Sequence, residues 1–461
     1  MVLILACFAL TQTPVLPEHT LIAWSDLSWN VPDASKPFTR YLILRDGTDE
    51  PRILAGHVHH VSRVADIYVP VVIEGKLLRL DIRHYGWDPA LLEKLANVDP
   101  YCHIDITQNG KKVKAHAPAL VESKDGAKAL EYILYHTKSN VPILTAEWFF
   151  NQTAVQQDRT VGYYDLLQIK TLEEFDKLVG FDRKLADTFG QALRDAVAIS
   201  TVTLQPRGIL RENTLGGAKW SSFDFKKARG LQNPLRIIGK DVEKNIDATE
   251  IFAHLPNGFW VMFLADGKGV RQDVAPGFIA NNTSPHNKST DKQVHINVTC
   301  LECHTSSGLK SIDGWFREHY SKDPTVGSLE YDKQFAFRRE YLRDIELSMK
   351  RDKERFDVAV KEATGWSARR YLSKYLEYWN SYEHAVVDLE WAAKALAVTP
   401  ECLKQAILAT TPGPGKQIDP RFGAPDTVLE PLARGGKIGI VQWEEVYHLA
   451  RMAVLAHRRT P

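Results

Sequence analysis

The sequence predicts an α+β protein. It has a mixed N-terminal domain, a β-meander region leading into a Cys-x-x-Cys-His motif, and a helical C-terminal region. Three observations carry this. Strand-like alternation and capped helices interleave up to about residue 195. Polar, Gly/Pro-punctuated and locally alternating segments then follow from about Val197 to Ile296. Beyond the motif, long charged stretches carry apolar residues at helical spacing. A chain of 461 residues is long for one core and suits about two to four domains of roughly 100–200 residues. The expected divisions are 1–18, a signal-like segment; 19–195, an α+β domain; 196–375, the meander and motif; and 376–461, helical.

The elements follow in order. Val2 to Leu10 is an apolar run, shorter than the roughly 20 residues that span a bilayer. It resembles the hydrophobic part of a secretory signal, although no Lys or Arg precedes it. Leu5-Ala6-Cys7 resembles the end of a lipoprotein signal, and a first β-strand is the alternative. Leu77 to Ile82 alternates as a strand, Gly86 turns the chain, and Asp88 caps a helix with Pro89 at its first position. The stretch from Val141 reads as a short strand end followed by a helix. Thr171 with Glu174 three residues on is a capping box, followed by Leu172, Phe175 and Leu178 at helical spacing. Ile251–His254 and Phe259–Ala265 flank a Pro256-Asn257-Gly258 turn, and Asp266-Gly267-Lys268-Gly269 reverses the chain again. Ile279 to Gln293 is a loop by composition. "GLKSIDGWFREHY", the run Leu329 to Lys361 and two or more segments from about Arg370 are helical in pattern. "TPGPGKQIDPRFGAPDT" breaks the chain before a last amphipathic helix.

Net charge is +1, so there is no electrostatic case for a nucleic-acid partner and no basic run to hold an anionic membrane. No segment after the N-terminus reads as transmembrane. No P-loop, dinucleotide fingerprint, Gly-x-Ser-x-Gly or His-Glu-x-x-His is present. Five cysteines are too few for a disulfide-stapled scaffold. Cys102 and Cys402 read as small buried residues, though a bridge between them is compatible with the sequence.

Cys300, Cys303 and His304 form the chemistry-bearing motif. Cys-x-x-Cys-His is the attachment signature of c-type haem. Two thiols reach the two vinyl groups on one edge of the porphyrin, and the following histidine coordinates iron from below. The expected cofactor is one covalent haem c, with His304 as proximal iron ligand. A structural zinc site needs four ligands, and no second Cys pair exists. A thioredoxin-like site wants the pair at a helix N-terminus after a strand of a βαβ unit, which a β-meander and polar loop fit poorly. For the distal iron position Met349 is the first candidate, on a predicted helix. Met262, His254, His286, His295 and His319 are rivals, and an open iron is the remaining option. His57, His59 and His60 lie together, and His57 and His60 could share a helical face and hold a metal, but the expectation is exposed histidines. Asp81, Arg83, His84 and Asp88 read as a structural ion-pair cluster rather than an acid/base site.

The chain resembles a set of largely uncharacterised single-haem c-type proteins of planctomycetes and related bacteria. The resemblance rests on Leu255, Pro256, Asn257, Gly258, Asp266, Gly269, Arg271, Asp273, Ala275 and Pro276 of the meander, and on Cys300, Cys303, His304 and Gly308. It extends upstream to "LRLDIRHYGWD" and "LRENTLGGAKWSSFDF", and downstream to "DKERFDVAVKEATG" and "LARGGKIGIVQWEEVY". Phe259-Trp260 and Arg83-His84 depart from the family pattern, and Met349 is not a fixed family position. The resemblance implies secretion and covalent haem; haem attachment outside the inner membrane implies a periplasmic address, electron transfer a redox partner protein, and Leu5-Ala6-Cys7 a possible lipid anchor. The expected activity is electron transfer. The alternatives are a five-coordinate haem enzyme or gas sensor, similar to the P460 cytochromes with Lys268 or Lys292 as the linking lysine, and a binding protein whose haem is structural.

Overall fold

The computed structural model describes residues 17–45, 49–101, 103–108, 111–116, 124–156, 161–189, 192–197, 207–224, 246–275, 293–305, 307–312, 345–396, 398–410 and 426–459. The expected signal segment with Cys7, most of the 279–293 loop, the 411–425 break, Cys102, His286, Lys292 and His319 lie outside these residues.

Local signals set the N-terminal elements: α1 (Pro17–Trp29), β1 (Thr39–Ile43), α2 (Glu50–His60), β2 (Val71–Ile73), β3 (Leu77–Asp81) and α3 (Pro89–Ala96). The hairpin β4 (His103–Gln108) and β5 (Lys111–His116) follows, then α4 (Lys124–Thr137), β6 (Ile143–Thr145) and α5 (Ala146–Ala154). Asp88 caps α3 by accepting from the Ala90 amide at 2.8 Å, with Pro89 at the first helical position. β2, β3, β1 and β6 form a sheet in that order, with β1 and β6 parallel and the other pairs antiparallel. Of the expected ion-pair cluster, Asp81 pairs with Arg83, while Asp88 caps α3 and His84 stacks on Tyr68.

Three short helices lead to the meander: α6 (Tyr163–Leu167), α7 (Leu172–Leu178) and α8 (Arg183–Phe189). The Thr171–Glu174 capping box opens α7. The meander comprises β7 (Leu193–Val197), β8 (Arg207–Thr214), β9 (Gly217–Asp224), β10 (Ala248–His254) and β11 (Trp260–Asp266). Each strand pairs antiparallel with its neighbour in sequence. It begins at Leu193, four residues before the expected Val197.

Residues opposed in an antiparallel pair share a face. Arg211, Trp220, Phe252 and Met262 lie across from one another. Period two adds Arg207, Glu250, His254 and Trp260 to that face. The opposite face meets α7 and α8 through Lys219–Asp176, Arg183–Glu212 at 3.0 Å and Phe175–Phe263 at 5.0 Å. At the open edge of β11, the Met262 and Leu264 amides donate to the Tyr163 and Tyr164 hydroxyls at 3.0 and 2.9 Å. Two tyrosines thus close an edge that would otherwise offer free donors.

The motif helix α9 (Val298–Cys303) follows, then α10 (Ile345–Thr364), α11 (Ala368–Glu383), α12 (Leu389–Ala395), α13 (Pro400–Thr410), α14 (Asp426–Ala433) and α15 (Ile440–Arg459). α10 crosses the first face of the meander and also packs on α2. One contiguous cluster of buried apolar side chains runs from Ala23 to Val454. The expected divisions at 195/196 and 375/376 fall inside β7 and α11. Among the described residues no helix is long and apolar enough to cross a membrane.

Candidate functional site

The chain leaves the meander at Asp273 and Val274, which bond or bridge to Ile296 and His295. Asn297 then sits at φ +69° and ψ −75°, the centre of a positive-φ γ-turn closed by the Val298 amide donating to the Ile296 carbonyl at 3.1 Å, a rare and strained conformation. Its side-chain amide donates to the Ala154 carbonyl at 2.8 Å and to the Tyr375 hydroxyl at 3.1 Å. Those bonds fix where α9 starts. Cys300 and Leu301 are buried, Cys303 and His304 partly exposed. The His304 amide closes the turn on the Cys300 and Leu301 carbonyls at 3.0 and 3.1 Å. One helical turn thus presents both thiols and the imidazole together, and neither thiol is in a disulfide.

His304 lies against Phe252 at 4.3 Å, tilted by 36°. Its Nδ1 is sealed from solvent without a hydrogen-bond partner. Burial lowers the pKa of the ring, with Glu250 partly opposing, so His304 is neutral near pH 7 and keeps a nitrogen lone pair. Burial, and then the Glu250 carboxylate, push the Cys300 thiol well up; the same carboxylate accepts its hydrogen bond. Burial would raise the Glu250 carboxyl too, but Arg207 and then His304 bring it below the usual range. Arg207 bridges Asp224 at 2.6 Å and Glu250 at 2.8 Å. A buried ion network therefore underlies the motif.

This environment bears on the competing readings. A thiol-exchange site needs a depressed cysteine pKa, and Cys300 is shifted the other way. Thioether attachment uses two thiols outside any disulfide and a neutral imidazole within one turn, and that donor set is present. The residues therefore fit covalent haem.

Gly308 closes the segment after His304. Its φ is +84°, and a Cβ there would sit 2.0 Å from Trp260 Nε1. The same indole nitrogen donates to the Ser307 carbonyl at 3.0 Å. Gly308→Ala is expected to cost at least about 1–2 kcal/mol from the left-handed backbone alone, before Trp260 is displaced. Chemical denaturation followed by tryptophan emission checks this; an unchanged midpoint would refute the close approach.

Of the distal-ligand candidates, His254 has both ring nitrogens committed. Nδ1 accepts from the Ala218 amide at 3.2 Å and Nε2 donates to the Asp352 carbonyl at 3.0 Å. The Met262 sulfur lies 3.8 Å from the Tyr163 hydroxyl. Met349 is buried on α10 and His295 sits in the segment before the motif. Lys268 is exposed on the turn after β11.

His57, His59 and His60 are not exposed, which corrects the expectation. All three have no solvent exposure. α2 is sandwiched between α5, α10 and α11, so the face carrying the histidines meets protein on every side. Among the described residues, no three His, Cys, Asp or Glu side chains gather to hold a metal ion. Cys402 is outside any disulfide and partly exposed on α13, not buried as expected. Arg207, Glu250, Asn297 and Tyr375 are the site neighbours that sequence reasoning missed. Period two in "TEIFAH" places Glu250, Phe252 and His254 on one face and could have found Glu250.

No protein family matches the chain, and neither a curated protein nor a solved structure resembles it to a significant degree.

Proposed function

We propose that the chain is a single-haem c-type cytochrome of the periplasm, one of the planctomycete-type proteins whose motifs it resembles, and that it passes electrons to a redox partner protein. Cys300 and Cys303 are the thioether anchors and His304 is the proximal iron ligand. The observation that carries this reading is the single turn that offers two thiols outside any disulfide and an imidazole together. When bound, haem supplies a one-electron couple. The protein's own contribution is to seal one face of His304 with Phe252 and to hold the Arg207–Glu250–Asp224 charges beside it. Periplasmic placement follows from where c-type haem is attached.

The exhaustion of His254 favours one second reading, a five-coordinate haem that binds small gases. The test is visible absorption of chain matured with the haem-attachment machinery, ferric and ferrous, with and without carbon monoxide. The electron-carrier reading expects a six-coordinate spectrum unmoved by carbon monoxide, with Met349 as the first residue to replace; a shifted ferrous spectrum supports the gas-binding reading. Cys300→Ala/Cys303→Ala is expected to lose all covalently bound haem, read as protein mass after acid–acetone extraction. Retention of covalent haem would end the attachment assignment.

A further inference from the structure

α11 carries a tyrosine with a built-in proton acceptor. The Tyr375 hydroxyl lies 3.1 Å from His57 Nδ1, and both side chains are sealed in the core. The hydrogen-bond directions can be assigned from the neighbours. Thr153 donates its own hydroxyl hydrogen to the Phe149 carbonyl at 2.7 Å. Its oxygen therefore accepts from His57 Nε2 at 2.7 Å, which makes Nε2 the protonated nitrogen and Nδ1 the lone pair. The Tyr375 oxygen accepts from the Asn297 amide at 3.1 Å, which leaves its O–H for His57.

The surroundings suit a redox role. From His304 the rings of Phe252, Trp260, Phe356, His60 and Tyr375 follow one another at centroid spacings between 4.3 and 6.5 Å. Tyr371, one turn before Tyr375 on the same helix, is equally buried, yet its hydroxyl has no partner. The fold therefore holds a paired and an unpaired tyrosine 5.6 Å apart. A phenol that loses an electron becomes a strong acid. It oxidises readily only where a base can take the proton at once, and in a dry core that base must be a neighbouring side chain.

We propose that Tyr375 and His57 form a proton-coupled redox site. Tyr375 gives one electron to a strong one-electron oxidant and its hydroxyl proton to His57 Nδ1. The O–H bond breaks, an N–H bond forms, and a neutral tyrosyl radical stands beside a His57 imidazolium whose Nε2–H still donates to Thr153. The oxidant is reduced by one electron, and re-reduction returns the proton. The ring series gives the electron a route between Tyr375 and the motif. Neither side chain is a proposed haem ligand, so the test of the pair is separate from that of the haem assignment.

The test uses the full chain without haem, oxidised by a photogenerated ruthenium(III) polypyridyl and freeze-quenched for electron paramagnetic resonance. Radicals on exposed tyrosines and tryptophans decay quickly, whereas a radical sealed at Tyr375 persists. The persistent tyrosyl signal is expected to be lost in Tyr375→Phe and in His57→Gln, which retains a hydrogen-bonding side chain but not a base. It is expected to survive in Tyr371→Phe and Tyr378→Phe. A persistent signal in folded Tyr375→Phe or His57→Gln would overturn the proposal, as would its loss in folded Tyr371→Phe. Should a variant not fold, high-field spectra of the wild-type chain decide. A g-tensor of a hydrogen-bonded phenoxyl, formed more slowly in deuterium oxide, is expected; a phenoxyl without a hydrogen bond overturns the assignment.

Discussion

Between pH 6.5 and pH 4 the folded chain is expected to lose most of its stability. His19, His59, His60 and His254 are buried, and burial lowers their pKa values from the usual 6.5 to about 4; that of His57 falls well below. In the unfolded chain each takes up a proton near the ordinary value. A folded pKa below the unfolded one gives stability that is present above the unfolded pKa and lost as pH falls through the folded pKa. Each histidine accounts for roughly 3 kcal/mol over that interval. Together they match or exceed the roughly 5–15 kcal/mol that keeps a typical domain folded. Glu147 works the other way. Burial raises its carboxyl to about 8, with Arg45 opposing, so its contribution is full below the ordinary carboxylate value and lost as pH rises through 8. Burial likewise raises the Glu444 carboxyl well above its usual value, and two such groups do not offset five histidines. Urea unfolding at pH 7.5, 6.5, 5.5 and 4.5, followed by far-ultraviolet dichroism, should show the midpoint collapsing. Equal midpoints at pH 7.5 and 4.5 would mean that the interior admits water to these rings.

The same histidines show where reading the sequence ran out. Thr171 with Glu174, Asp88 with Pro89, and the Pro256-Asn257-Gly258 turn were legible because each cap or turn closes within four residues. The motif was legible because its chemistry fits into five consecutive residues, Cys300 to His304. His57, in contrast, finds Thr153 96 residues away and Tyr375 318 residues away. Nothing near "GHVHHVS" announces either partner. Without them, three histidines in a row of seven residues read as solvated. Glu250 is an intermediate case. Its face was readable from alternation, but its partner Arg207 lies 43 residues earlier, two strands away. Burial of a polar residue is decided by tertiary partners, and these are the part of the site that local pattern does not carry.

Asp352→Ala is expected to destabilise the chain by about 3–5 kcal/mol, because it strands a charge in the core. The Asp352 carboxylate accepts from Arg211 at 2.9 and 3.1 Å and from Trp220 Nε1 at 2.8 Å. Both members of the ion pair are largely buried, with side-chain exposures of 11% and 7%. Exposed ion pairs contribute little, but a guanidinium left without its partner in this setting carries its full desolvation penalty. The effect should reach the motif. The Asp352 backbone carbonyl accepts from His254, His254 stacks on Trp260 at 3.9 Å, and Trp260 donates to the Ser307 carbonyl beyond His304. Movement of α10 therefore displaces the segment that closes over the motif, and near-ultraviolet dichroism of the tryptophans should change in the folded variant. A second substitution distinguishes stranded charge from lost packing. Arg211→Met in the Asp352→Ala background removes the orphaned cation and should recover part of the stability, with the cycle showing coupling between the two positions. If the double variant is as unstable as Asp352→Ala alone, the charge is not the cause, and Trp220 and the packing of α10 on the meander account for the loss.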